Sequence, residues 1–140
     1  MKNLRTTTIS IILSLFLFVT LSSFNTSSPL CPSITLNNPP TNILVCTGQS
    51  CQPINNYKSC KTTFTLNSNV CQTTYTWTFT NTNTGCVRVY TSSGATYLTL
   101  TVSKFPGSAG DAITLVINDG PLTSPTYNLT GQACASCTGD

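Results

Sequence analysis

This chain contains neither histidine nor glutamate, and its acidic residues are three aspartates, Asp111, Asp119 and Asp140. General acid–base catalysis usually needs a His, Glu or Asp within hydrogen-bond reach of the substrate. Asp111 and Asp119 flank one predicted strand, so at about 3.3 Å per residue they lie at its opposite ends, too far apart to act as a carboxylate pair. Lysines are the bases left to activate a serine nucleophile. We therefore expect a protein that is not an enzyme.

Charge of either sign is scarce, at 6% of the residues. Hard cations need several converging carboxylates, so we expect no metal and no cofactor. Beyond residue 23 four basic residues, Lys58, Lys61, Arg88 and Lys104, stand against the three aspartates, a balance of four minus three, or +1. They do not form the basic cluster that nucleic-acid binding requires. We expect no nucleic-acid partner.

The N-terminal segment has the pattern of a secretory signal peptide. Lys2 and Arg5 precede an apolar block at residues 9–21, and small polar residues follow at Ser22 and Ser23. The block is shorter than the roughly 20 residues that a membrane-spanning helix needs. We predict a signal peptide at 1–23, a single secreted domain at 24–140, and no membrane association after cleavage.

All eight cysteines lie beyond the predicted signal peptide, and an even number in a secreted chain indicates disulfides. They are Cys31, Cys46, Cys51, Cys60, Cys71, Cys86, Cys134 and Cys137. Free thiols or a zinc site are the alternative, which the absence of histidine and the oxidising destination disfavour. Cys134 and Cys137 have the spacing of a redox motif, but they lie in a polar tail and not at a helix N-terminus. We expect them to form structural bridges.

The strongest local pattern is the alternation of rings and threonines over residues 73–85. Successive side chains of a strand point to opposite faces, so this segment predicts a half-buried strand ended by Gly85. We expect Tyr75, Trp77 and Phe79 to face a core. The opposite face then carries short hydroxylated, β-branched side chains: Thr74, Thr76, Thr78 and Thr80.

Other short alternating runs follow the same rule, and no segment has an amphipathic helical period. They cover residues 33–36, 41–45, 62–66, 86–90, 96–102, 112–118 and, more weakly, 126–130. In the fourth run we expect Val87 and Val89 inward and Arg88 outward. Seven or eight short strands at regular spacing predict a disulfide-stapled antiparallel β-sandwich.

The first two runs are separated by Asn37-Asn38-Pro39-Pro40, which predicts a turn and therefore a hairpin. A register centred on this turn places Cys31 opposite Cys46, and we expect these two cysteines to be bonded. The loop at 47–59 is long enough to be either held by disulfides or functional.

Three segments resemble the PKD (polycystic kidney disease) type of immunoglobulin-like domain over about residues 61–118. They are Thr63-Phe64-Thr65, the Tyr-x-Trp-x-Phe run at 75–79, and the run from Ser93 to Val102. The chain has Thr80-Asn81-Thr82 where the family usually has Gly-Asp-Gly, and its cysteines are its own. The resemblance implies an immunoglobulin-like sandwich and a non-catalytic extracellular module.

About a fifth of the residues are threonine. Threonine can serve simply as a β-former whose hydroxyl keeps the surface of an almost uncharged domain hydrated. Alternatively Thr76, Thr78 and Thr80, with Tyr57 or Tyr97, can recognise a carbohydrate or another protein. Ice binding by a flat threonine array is a third hypothesis, which the twist of a sandwich sheet disfavours.

We therefore expect a secreted structural or adhesive module of a surface, matrix or filament, with a carbohydrate- or protein-binding module as the alternative. The expected partner is an extracellular protein or glycan, including a second copy of the chain. Asn25 and Asn128 begin N-glycosylation acceptor sequences that apply in a eukaryotic host.

Overall fold

The computed structural model describes residues 33–52, 60–67 and 72–137. Within them the chain forms eight strands and one 3₁₀ turn, Gly94–Thr96. The strands are β1 (Asn42–Cys46), β2 (Lys61–Thr65), β3 (Thr74–Asn81), β4 (Val87–Ser93), β5 (Thr99–Ser103), β6 (Phe105–Pro106), β7 (Ala112–Asn118) and β8 (Tyr127–Ala133). The predicted signal peptide at 1–23 lies outside these residues. In the described part of the chain, no helix has the length and apolar character to cross a membrane.

The strands form two sheets, which makes the molecule an all-β sandwich. One sheet has six strands in the order β4-β3-β7-β8-β1-β6, and the other pairs β2 with β5. Most neighbours are antiparallel, but β1 runs parallel to both β8 and β6. The expectation of a purely antiparallel sandwich is therefore wrong. Parallel neighbours need a long connection between them, and the whole chain from β2 to β7 lies between β1 and β8.

The core lies between the two sheets and is centred on β3. Tyr75, Trp77 and Phe79 are buried there, as their alternation with threonine predicts. The ring of Phe79 meets the rings of Phe64 from the second sheet and of Phe105 from β6, with centroids 5.1 and 5.8 Å apart. Contacts of this kind between aromatic rings stabilise the two-layer packing beyond the area they bury.

The predicted hairpin at residues 33–45 does not form. Leu36 makes an antiparallel bridge with Leu66, next to the second sheet, whereas β1 joins the six-stranded sheet between β8 and β6. Ile34 and Ile43 are both buried in the core. Between residues 36 and 42, which include Pro39 and Pro40, the chain thus passes from the neighbourhood of the second sheet to the six-stranded sheet.

The orientation of β4 is the reverse of the predicted one. Arg88 is buried, with 3% of its surface exposed, whereas Val87 and Val89 are 50% and 56% exposed. The inward face of β4 also carries Ser92, whose hydroxyl accepts a hydrogen bond of 2.7 Å from the indole Nε1 of Trp77. Polar partners inside the sandwich, together with the Tyr90 ring that packs against Phe79, thus determine which face of β4 points inward.

Within the described residues, three disulfides join distant parts of the chain, with Cα–Cα distances of 5.5 to 5.7 Å. They are Cys46–Cys137, Cys51–Cys86 and Cys60–Cys134. The predicted Cys31–Cys46 bridge is wrong because Cys46, at the end of β1, meets the tail that follows its neighbour β8. Separations of 91 and 74 residues correspond to about 4.5 kcal/mol per bridge in the chain-entropy model. Disulfides of this kind are typical of an oxidising, extracellular environment.

Candidate functional site

The outward side of the six-stranded sheet carries a continuous surface of threonine and valine, which we call the Thr/Val face. Residues directly opposite each other in antiparallel strands present their side chains on the same side of the sheet. Thr78 of β3 lies between Val89 of β4 and Val116 of β7. In the rows on either side, Thr80 lies between Val87 and Thr114, and Thr76 lies between Thr91 and Asn118. The face comprises Thr76, Thr78, Thr80, Val87, Val89, Thr91, Thr114 and Val116.

The Thr/Val face differs from an ordinary wet surface in two respects. None of its eight residues is charged, and Val87 and Val89 are the large apolar side chains that the described residues leave most exposed. Both valines lie on β4, which ends the sheet on that side. An edge strand with exposed apolar side chains is a site where another chain can pair. The inward charge of Arg88, and its bonds to the loop at residues 50–52, restrict such pairing at the start of β4. The opposite edge, β6, contains Pro106 and is two residues long.

A cavity of about 420 Å³ opens at one end of the sheet, beside the edge strand β4. Three loops line it: residues 47–51 after β1, 84–86 before β4, and 106–108 after β6. The disulfide Cys51–Cys86 joins two of these loops. The lining includes the hydroxyl-bearing residues Thr47, Thr84 and Ser108 among apolar and backbone groups.

A hydrogen-bonded pair of side chains holds the loops around this cavity. The Asp111 carboxylate accepts a bond of 2.8 Å from the buried Asn81 amide and another of 2.8 Å from the Ser108 backbone N–H. The Asn81 side-chain oxygen accepts from the N–H groups of Asn83 and Thr84 in the next turn. The Ser108 bond, followed by the Asn81 bond, lowers the pKa of Asp111 below its ordinary value of 3.8. The ionised aspartate therefore supports the cavity wall.

Gly107 is required beside this pair. A Cβ atom at this position would lie 2.8 Å from the Asn81 amide nitrogen and 2.9 Å from an Asp111 oxygen. Any larger residue would therefore separate the two side chains or displace the loop that carries them.

Arg88 holds the loop after β1, which forms one wall of the cavity, from inside the fold. Its guanidinium donates to the carbonyl oxygens of Ser50 and Gln52 at 2.6 and 2.7 Å and to that of Cys51 at 3.3 Å. It also lies 5.8 Å from the centre of the Phe105 ring. Three carbonyl dipoles and the face of a ring thus stabilise the buried positive charge, a role that the carboxylate of an Asp or Glu has in most proteins.

The structure places the predicted binding residues in different environments. Thr76, Thr78 and Thr80 lie together on the Thr/Val face and are half-buried. Tyr97 packs partly against the core and is not on that face, and Tyr57 lies outside the described residues. Asn128 is exposed on β8, directly opposite Thr114 and therefore on the same side of the sheet as the Thr/Val face, and Asn25 lies outside the described residues.

The sequence alone assigned Val87 and Val89 to the core and Arg88 to the surface. It did not identify Asn81 as a residue that supports the cavity. An arginine between two valines looks like an outward charge between inward apolar groups, and the carbonyls that bind Arg88 lie more than 30 residues earlier. Asn81 carried one available signal, because an asparagine followed by Thr-Asn-Thr-Gly is typical of a side chain that caps a turn.

Comparison with protein-family models, with characterised proteins and with solved structures finds no match to this chain.

Proposed function

We propose that the protein is a non-catalytic, secreted structural or adhesive module that assembles with copies of itself through the Thr/Val face. The observation that carries the proposal is an uncharged face with two exposed valines beside the edge strand β4. Such a face can meet its own copy without like-charge repulsion, and β4 offers backbone groups for pairing. Threonine and valine suit both the contact between faces and the pairing at β4, because each is a good β-former.

We also propose that the sandwich is immunoglobulin-like and of the PKD type. The run β8-β7-β3-β4 has the order of the G, F, C and C′ strands, and β2 with β5 corresponds to B and E. Trp77 on β3 occupies the place of the buried tryptophan of strand C. The segments that resemble the PKD family fall on β2, on β3 and, through residues 99–102, on β5.

The cavity supports a second candidate function, the binding of a small carbohydrate or peptide group by hydroxyl and backbone groups. This function would place the ligand at the end of the sheet, so replacing face threonines would leave it unchanged.

A pull-down from the surface and matrix of the producing cells, beside size-exclusion chromatography of the purified protein, distinguishes the two functions. Self-assembly predicts a concentration-dependent increase in size and recovery of the chain itself. A protein that stays monomeric and retains a glycan through the cavity would contradict the first proposal and support the second.

A further inference from the structure

Four cysteine sulfurs lie together where the tail of the chain passes the end of β1. The Sγ atoms of Cys46, Cys60, Cys134 and Cys137 are all within 4.8 Å of one another. They belong to two neighbouring disulfides that bring three segments together: the last residue of β1, the residue before β2, and the loop after β8. We call them the four-sulfur cluster.

The four sulfurs lie close enough together to reach one tetrahedral zinc ion once the two S–S bonds are opened. A Zn–S distance of about 2.3 Å places neighbouring sulfurs of a four-cysteine site about 3.8 Å apart, which lies within the spacing of the cluster. Cys134 and Cys137 are separated by two residues, the spacing of the ligand pairs in such sites. The Ser136 backbone N–H donates to the Cys134 sulfur at 3.4 Å, the kind of bond that stabilises a thiolate ligand.

We infer that the four-sulfur cluster, when reduced, binds one Zn²⁺ ion as four thiolates. A dithiol or phosphine reductant supplies four electrons, two S–S bonds break, and four protons convert the sulfurs to thiols. Zn²⁺ then displaces those protons as four Zn–S bonds form, with no change in the oxidation state of the metal. A disulfide oxidant reverses the sequence: it takes four electrons, re-forms Cys46–Cys137 and Cys60–Cys134, and releases the ion.

The consequence is that the same three segments are held together in either redox state. The residue pairs from Asn42–Thr130 to Val45–Ala133 join β1 to β8, and both strands lead directly into the cluster. In an oxidising environment the disulfides close this part of the sheet, and in a reducing environment the metal does so.

The test uses the full mature chain, reduced anaerobically with a phosphine and titrated with Zn²⁺. Native mass spectrometry should find one zinc per chain, and Co²⁺ in place of Zn²⁺ should give the absorption of a tetrahedral thiolate complex. Circular dichroism should show that the reduced chain recovers its β structure when zinc is added. A reduced chain that binds no stoichiometric zinc would overturn the inference.

Matched variants locate the site. The double variant Cys51→Ser/Cys86→Ser removes the disulfide outside the cluster and should retain one zinc, and Cys31→Ser/Cys71→Ser should do the same. Cys134→Ser/Cys137→Ser should lose the ion and its effect on circular dichroism. Retention of one zinc by this last variant, or its loss from both of the others, would show that other cysteines bind the metal and would contradict the inference.

Discussion

Replacement of Arg88 by alanine tests whether β4 is held by a buried cation. Each hydrogen bond to a charged group contributes about 1.5 to 3 kcal/mol, and Arg88 makes three to the carbonyls of residues 50–52. Those residues are exposed, so their carbonyls regain water when the side chain is removed, and only part of this sum is lost. We expect Arg88→Ala to lower the free energy of unfolding by about 2 to 4 kcal/mol.

The measurement is urea unfolding followed by Trp77 fluorescence, beside Val89→Thr as a matched control. Val89 is more than half exposed, so Val89→Thr keeps a β-branched residue and should change stability by less than about 0.5 kcal/mol. Arg88→Lys keeps the charge but not the fork of donors, and should fall between the two. If Val89→Thr costs more than Arg88→Ala, the valines face the core and the reasoning is refuted.

Three further outcomes follow from the structure. Trp77→Ala should cost about 3 to 5 kcal/mol of stability by circular dichroism, since it leaves a cavity and removes the donor to the Ser92 hydroxyl, which keeps its own bond to the Tyr97 carbonyl; a loss below about 1 kcal/mol would contradict its burial. The lowered pKa of Asp111 adds stability that is fully present above pH 3.8 and is lost as the pH falls through the folded value. The stability difference between the parent and Asp111→Asn should therefore shrink on acidification, and a difference that stays constant would refute this assignment. Leu36 forms an antiparallel bridge with Leu66. Cys31 lies five residues before Leu36, and Cys71 lies five residues after Leu66. Both cysteines lie outside the described residues, and we expect non-reducing peptide mapping to join them; peptides that link either to Cys46 would refute this pairing.

Local patterns in the sequence predicted most strands of this fold. The strand predicted at residues 112–118 has the observed bounds of β7, and the rings of Tyr75, Trp77 and Phe79 are buried as expected. Whether a segment forms a strand depends on the alternation of apolar and polar residues, which can be read from the local sequence. The two-residue strand β6 was missed because Phe105 and Pro106 are too few to alternate.

Pairing between distant segments could not be predicted in the same way. The expected Cys31–Cys46 bond followed from a local turn, whereas Cys46 meets a cysteine 91 residues away. The orientation of β4 depends on carbonyls in the loop after β1 that accept from Arg88. The three threonines of β3 were placed correctly on the outward side, but the exposed valines on the same side, Val87 and Val89, were assigned to the core.

We propose that copies of the protein assemble through the Thr/Val face. Sedimentation equilibrium tests this with the mature protein beside the triple variant Thr76→Lys/Thr78→Lys/Thr80→Lys. The matched control, Thr63→Lys/Thr99→Lys/Thr101→Lys, adds the same charge to the outward side of the two-stranded sheet. Circular dichroism should confirm that all three proteins are folded.

We expect the parent and the control to assemble as the protein concentration rises. The β3 variant should stay monomeric because its added lysines face those of the second copy across the contact. Assembly of the β3 variant to the same extent as the parent, or a parent that remains monomeric at all concentrations, would contradict it.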